Sequence, residues 1–282
     1  MKIICLMENT SHVRDLTAEH GLCFYVETPK HKLLIDTGAT AAFIDNTEKL
    51  GVDLTKVDTV FLSHGHYDHC GGVTAFAEIN FAADIYISEN AFDDYWLIND
   101  NRQKYIGIDR KIMALPQLKM VCGDLQIDSE LLIFSKVKAE KLQPSTNRDL
   151  MKKLKLQDTD DSLTAKYVQD DFCHEQYLEV YADGKRIVFC GCAHKGIVNI
   201  MSSYKALRGV EPDCVISGFH TMNPNGYSEA EQGVIKNIAE ELLQYKTIFY
   251  TCHCTGNEPY RMLKDAMKNS IAYIGVGDVV EF

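Results

Sequence analysis

The chain has 282 residues, of which 46% are apolar and 24% charged, and it carries a formal charge of −11. This composition describes a globular protein long enough for one large core or two smaller ones. The acidic balance disfavours general binding to nucleic-acid backbones, although a local basic pocket for a small anion is compatible with it.

No apolar run approaches the length of a membrane span, and the stretch Met1-Lys2-Ile3-Ile4-Cys5-Leu6 lacks an export pattern. Ten cysteines without such a signal read as reduced thiols. The expectation is a cytoplasmic protein with neither a membrane nor a nucleic-acid partner.

Residues 2–6, 22–27 and 32–36 read as strands, the last two joined by a turn around Pro29. The third ends in Asp36-Thr37-Gly38, where Asp36 could cap a helix expected over 40–50. The apolar run at 58–62 reads as a buried strand, and directly after it comes Ser63-His64-Gly65-His66-Tyr67-Asp68-His69-Cys70-Gly71-Gly72. His64 and His66 can converge on one ion across Gly65. Asp68 and His69 can supply an oxygen and a nitrogen to a second. Clustering of this kind exceeds what solubility requires, and such donors suit zinc, iron or manganese.

A helix near 72–78, a strand at 84–87 and short strands near 118–134 continue the α/β alternation. Two segments interrupt it. Residues 92–116 carry Phe92, Tyr95, Trp96 and Tyr105 among charges, and 136–165 runs Lys-rich and then acidic at Asp158, Asp160 and Asp161. Both read as insertions at the mouth of an active site, the first as a candidate lid; surface decoration is the alternative.

In the second half, strands at 175–181 and 186–190 turn at Asp183-Gly184, a strong hairpin signal. Helix 197–207 aligns Ile197, Ile200, Met201 and Tyr204 on one face. Strand 213–217 leads to Gly218-Phe219-His220, and helix 228–243 opens with a capping box at Ser228 and Glu231. Strand 247–251 leads to Cys252-His253-Cys254; a last helix begins near Pro259 and a strand at 271–274 follows it. With no linker or repeat to divide it, residues 1–282 read as one α/β (α+β) domain.

The segment His64-Gly65-His66-Tyr67-Asp68-His69 after a buried strand resembles the hallmark of the metallo-β-lactamase-fold metallohydrolases. The resemblance implies a four-layer αββα sandwich with pseudo-twofold halves and two divalent metal ions at one edge, zinc first and iron or manganese as alternatives. It also implies one ion held by His64, His66 and His174, a second held by Asp68, His69 and His253, and Asp36 supporting the metal loop from behind. Cys192 stands where most members have a bridging Asp, and His194 is its rival. Cys190, Cys252 and Cys254 are expected to pack behind the ligands.

The phrases Gly191-Cys192-Ala193-His194-Lys195-Gly196-Ile197-Val198-Asn199-Ile200, Ser217-Gly218-Phe219-His220 and His253-Cys254-Thr255-Gly256 resemble one branch, labelled 7,8-dihydropterin-6-methyl-4-(β-D-ribofuranosyl)-aminobenzene-5'-phosphate synthase. The expected function is a metal-dependent hydrolase in which metal-activated water attacks an ester, lactone or phosphodiester-like centre of a small molecule, which on the branch resemblance is anionic or phosphate-bearing. Asp68, His194 and His220 are the expected catalytic or substrate-contacting groups. The alternatives are a pterin-pathway synthase-like enzyme on a phosphorylated pterin or aminobenzoate-type substrate, and a non-catalytic ligand-binding or redox di-iron member of the fold.

Overall fold

Runs of buried β-branched and aromatic residues build two sheets that face each other. In the computed structural model, which describes residues 1–154 and 166–282, the first sheet is ordered Val279–Glu281, Lys2–Met7, Cys23–Glu27, Lys32–Ile35, Thr59–Phe61, Asp84–Ser88, Leu118–Val121. Its neighbours pair antiparallel as far as Lys32–Ile35 and parallel beyond it. The second sheet is ordered Ile271–Tyr273, Ile248–Thr251, Cys214–Ser217, Lys185–Phe189, Tyr177–Ala182, Leu131–Phe134, Leu125–Gln126. It repeats the same mixture in reverse order, with parallel pairs as far as Lys185–Phe189 and antiparallel pairs after it.

Three apolar cores set the layers. Between the sheets lie Ile3, Phe24, Leu33, Phe61, Ile133, Leu178, Phe189 and Ile216. On the outer face of the first sheet, helices Ala42–Leu50 and Val73–Ile79 bury Phe43, Val73 and Phe76 against Leu34, Val60 and Ile85. On the outer face of the second, Ile197–Arg208, Glu229–Leu242 and Asn257–Met267 bury Ile200, Tyr204, Ile238 and Leu263 against Val188, Val215 and Phe249. The result is the four-layer αββα sandwich. Alternate residues of the central strands face alternate cores, which is why these strands read as continuous apolar runs.

Local signals act where the chemistry requires them. Asp183 and Gly184 take φ of 54° and 75°, as a tight two-residue hairpin needs, and Ala182 pairs with Lys185 across the turn. Ser228 and Glu231 close a reciprocal capping box at the start of Glu229–Leu242.

The interrupting segments come together. Tyr167–Gln169, Leu150–Lys153, Asp94–Asn99 and Arg102–Tyr105 form a four-stranded antiparallel sheet in that order, with Tyr95, Ile106, Leu150 and Phe172 as a small core. Its strands alternate poorly and its central pair, Asp94–Asn99 with Leu150–Lys153, joins segments far apart in sequence, so periodicity did not announce them. Asp158, Asp160 and Asp161 lie outside the described residues. No helix among the described residues is long and apolar enough to cross a membrane.

Candidate metal centre

The parallel strands deliver their C-terminal ends to one edge of the sandwich, where ligand-binding crevices of such sheets form. Asp36 follows Lys32–Ile35, the His64–His69 loop follows Thr59–Phe61, and Cys192 and His194 follow Lys185–Phe189. His220 follows Cys214–Ser217 and His253 follows Ile248–Thr251. Two glycines allow these loops to interlock. A Cβ on Gly65 would lie 2.4 Å from the Ala91 carbonyl oxygen, and one on Gly191, at φ 56°, would lie 2.3 Å from Ser63 Oγ.

At this edge His64 Nε2 stands 3.0 Å from His66 Nδ1 and 3.3 Å from His194 Nε2. Asp68 Oδ2 lies 3.3 Å from His253 Nε2 and 4.0 Å from His69 Nε2. Cys192 joins the two groups: its Sγ is 3.1 Å from His69 Nε2, and it shares one cluster with His64 and His194 and another with His69 and His253. Within each cluster the ligand atoms lie within 4.8 Å of one another.

The opposite nitrogen of most of these rings is fixed by the protein. His69 Nδ1 donates to Asp36 Oδ2 at 2.6 Å, while Asp36 also accepts from the Ser63 amide at 2.7 Å and the Ser63 hydroxyl at 2.8 Å. Ser63 Oγ is 2.9 Å from His64 Nδ1, Asn9 Oδ1 is 2.7 Å from His253 Nδ1, and Asn147 Oδ1 is 3.2 Å from His194 Nδ1. Phe172 stacks on the His194 ring at 4.5 Å. Such partners fix the tautomer and present the remaining lone pair.

His174 is corrected from its expected place as a ligand. Its Nδ1 accepts the Gly65 amide at 2.9 Å, so the proton sits on Nε2, 3.1 Å from Asp170 Oδ2. Neither nitrogen keeps a lone pair for an ion. His174 and Asp170 form a buried brace behind His66, and the ring that joins His64 and His66 belongs to His194. A second correction concerns Cys254. Cys190 and Cys252 pack in the cores, whereas Cys254 lines the cavity with Cys192 and His220.

Burial, then the neighbouring imidazoles, hold His64 and His194 well below the ordinary histidine range. Burial, then His174, brings His66 down to about 3. Burial opposes the charge on Asp68, but the imidazoles of His20 and His253 beside it outweigh burial and hold the carboxyl well below its usual value. Burial likewise opposes protonation of His69, yet Asp36 raises it. The chain thus gathers imidazoles, with His64, His66 and His194 held neutral, around one carboxylate and one thiol.

His253 Nε2, which faces Asp68, is buried with no hydrogen-bond partner among the described residues. Leaving such groups unpaired costs about 1–3 kcal/mol each. A cation resolves this deficit, and N, O and S donors in this mixture fit zinc-class divalent ions.

Above the cluster lies a cavity of about 560 Å³, roofed by the third sheet and the turn at Ser145–Asp149. His20, Tyr67, Leu97, Arg102, Lys104 and Arg148 are among its walls.

Sequence reasoning missed several residues. Besides Asn9, Asn147 and Asp170, these are His20, whose Nε2 is 3.3 Å from Asp68 Oδ2, and Glu8, which accepts the His253 amide at 2.5 Å and the Tyr273 hydroxyl at 2.6 Å. Glu8-Asn9 follow a buried strand directly, as the expected ligands do. That position was the available signal.

A four-layer αββα sandwich with a His/Asp/Cys cluster at the strand ends defines a class of metal-binding proteins. The chain belongs to the metallo-β-lactamase superfamily, whose family model matches residues 16–232. It is 25% identical over 284 residues to the uncharacterised protein MJ0448 of Methanocaldococcus jannaschii, covering 98% of each chain. It is 24% identical over 306 residues to the 7,8-dihydropterin-6-methyl-4-(β-D-ribofuranosyl)-aminobenzene-5'-phosphate synthase of the same organism, covering 100% of this chain and 97% of that one. Among solved structures it superposes on Tm1679, described as a metal-dependent hydrolase of the β-lactamase superfamily, with a TM-score of 0.82 at 24% identity, covering 100% and 99% of the two chains.

Proposed function

We propose that the protein is a metal-dependent hydrolase of a small anionic molecule, with two divalent ions at the floor of the cavity. His64, His66 and His194 would hold one ion, Asp68, His69 and His253 the other, and Cys192 would lie between them. Zinc suits these donors first, with iron or manganese as alternatives. The observation that carries this reading is the convergence of these side chains in adjoining clusters joined by Cys192, including the buried and unpartnered Nε2 of His253, below a cavity of substrate size.

Bound ions of this kind supply Lewis acidity and a water deprotonated near neutral pH. The chain supplies the rest. Asp68 Oδ2, ionised and 3.3 Å from His20 Nε2, is placed to hold a water and pass its proton to His20 at the cavity mouth. His220 lines the same wall and is placed to donate a hydrogen bond to the oxygen that gains charge at the reacting centre. Arg102 and Arg148 are exposed on the cavity wall, and Lys104 lies 3.9 Å above the Tyr67 ring. On a chain of charge −11 these cations favour an anionic group at the outer end of the substrate, whether phosphate or carboxylate. All ten cysteines are unpaired, which fits a reducing, cytoplasmic setting.

The full-length similarity to the synthase supports a second reading, action on a phosphorylated pterin or aminobenzoate-type compound in the same cavity. Hydrolysis assays on phosphodiester and lactone panels beside that substrate class separate the two.

The site is tested by metal content and turnover together. His66→Ala and Asp68→Ala should abolish metal-dependent hydrolysis while the chain stays folded. His194→Ala should lose an ion that His174→Gln retains, and Cys192→Ala should lower the content of both ions. An ion lost from His174→Gln and kept in His194→Ala would reverse the assignment.

A further inference from the structure

We propose that Cys192, His220 and Cys254 form an additional metal site, with two thiols and one imidazole, that takes a thiophilic ion such as Cd²⁺ or Cu⁺ against the histidine-rich centre. The two sulfurs and a ring nitrogen of His220 lie within 4.8 Å of one another, and all three residues line the cavity, so an ion can reach them from solvent. His220 Nδ1 is buried and has no hydrogen-bond partner among the described residues. Cys254 Sγ donates a long hydrogen bond, 3.7 Å, to the Cys192 carbonyl.

The backbone has been shaped around this sulfur. A Cβ on Gly218 would lie 2.4 Å from Cys254 Sγ, so only glycine leaves the thiol its place. His220 and His253 both take left-handed backbone conformations, with φ of 47° and 49°, that β-carbon residues adopt at a cost. His220 is held there by Thr146, whose hydroxyl donates to its carbonyl at 2.6 Å. Met222 donates its amide to the Cys254 carbonyl at 2.9 Å, tying the two loops together.

Donor softness separates this site from its neighbours. His64, His66, Asp68, His69, His194 and His253 offer nitrogen and oxygen, whereas Cys192 and Cys254 offer a sulfur pair that selects soft ions. Binding of one ion displaces the two thiol protons to solvent and transfers no electron. Since Cys192 also borders both histidine groups, an ion seated here shares a ligand with the centre.

The experiment reads metal uptake, not turnover, so it succeeds or fails independently of the hydrolase reading. Zinc-saturated wild type, Cys254→Ser and His220→Asn are titrated with Cd²⁺ and dialysed. Total zinc plus cadmium is then counted by elemental analysis, with thiolate-to-cadmium charge-transfer absorption recorded in parallel. Wild type is expected to hold one more ion per chain than either variant and to absorb more strongly than Cys254→Ser. Melting curves confirm that the variants are folded, and either folded variant suffices. Equal total metal in wild type and a folded variant overturns the proposal, whatever the absorption.

Discussion

Replacing Asp36 by Asn alters one atom of the site and should weaken both fold and metal binding. Asp36 is fully buried and lies at φ 58°, a conformation that Asn tolerates, so the substitution leaves the backbone in place. Its carboxylate accepts the Ser63 amide at 2.7 Å on one oxygen, and the Ser63 hydroxyl at 2.8 Å and His69 Nδ1 at 2.6 Å on the other. An Asn amide cannot satisfy this arrangement in either orientation. If its NH₂ faces the Ser63 amide, two donors meet. If it faces His69, the imidazole must move its proton to Nε2, the nitrogen aimed at Cys192.

Hydrogen bonds to a buried charge contribute about 1.5–3 kcal/mol each, and the variant loses the equivalent of one or two, so about 2–4 kcal/mol of destabilisation is expected. That is a large share of the roughly 5–15 kcal/mol typical of a domain. The tautomer change should lower affinity for the ion at His69 by about 10–100-fold. Urea unfolding of the metal-free protein measures the first effect, and competition with a chromophoric chelator the second. Wild-type metal affinity in a folded Asp36→Asn protein would refute the orienting role.

Gly65→Ala should destabilise the protein by about 1–3 kcal/mol and lower its metal content, because the new methyl meets a backbone oxygen rather than a yielding side chain; thermal melting and elemental analysis check this. His31 bridges Asp58 and Asp128 at 2.8 Å each. Burial opposes its protonation, but these partners outweigh burial and raise its pKa. The stabilisation is fully present below the unfolded value of about 6.5 and lost as pH rises through the raised folded value. His31→Gln should therefore flatten the fall in urea midpoint across that window, and an unchanged slope would contradict it. Arg102→Gln should raise KM for an anionic substrate several-fold with little change in kcat, and should weaken the salt dependence of KM; equal effects on a neutral analogue would count against an anion-holding wall.

Much of the sandwich was legible in the sequence because its strands are buried on both faces and its helices carry one apolar stripe. Lys2–Met7, Thr59–Phe61, Tyr177–Ala182 and Ile197–Arg208 are recognisable from local pattern alone. The third sheet was not. Asp94–Asn99 and Leu150–Lys153 are mixed in polarity and meet at the centre of that sheet, and pairing at such separation leaves little local trace. Val279–Glu281 escaped for the same reason, being an edge strand paired with Lys2–Met7.

The candidate site divides along the same line. Ligand-type residues crowded into one loop, or set directly after a buried strand, are visible as types and spacings: His64, His66, Asp68, His69, Cys192 and His253. Which nitrogen of a ring keeps its lone pair is a matter of what stands on its other side, and that depends on residues far away in sequence. Gly65 and Asp170 occupy both nitrogens of His174, while Asn147 orients His194 toward His64. The sequence by itself determined the superfamily, the edge of the sandwich where the candidate site lies, and most of the ligand-type residues that meet there, because hydrophobic period and residue type are local properties. Only the tertiary structure set His194 beside His64 and braced His174 against Gly65 and Asp170, brought Glu8, Asn9 and His20 to the centre, and set Cys254 beside Cys192, because a hydrogen bond or a shared cavity is made by chain segments that meet only on folding.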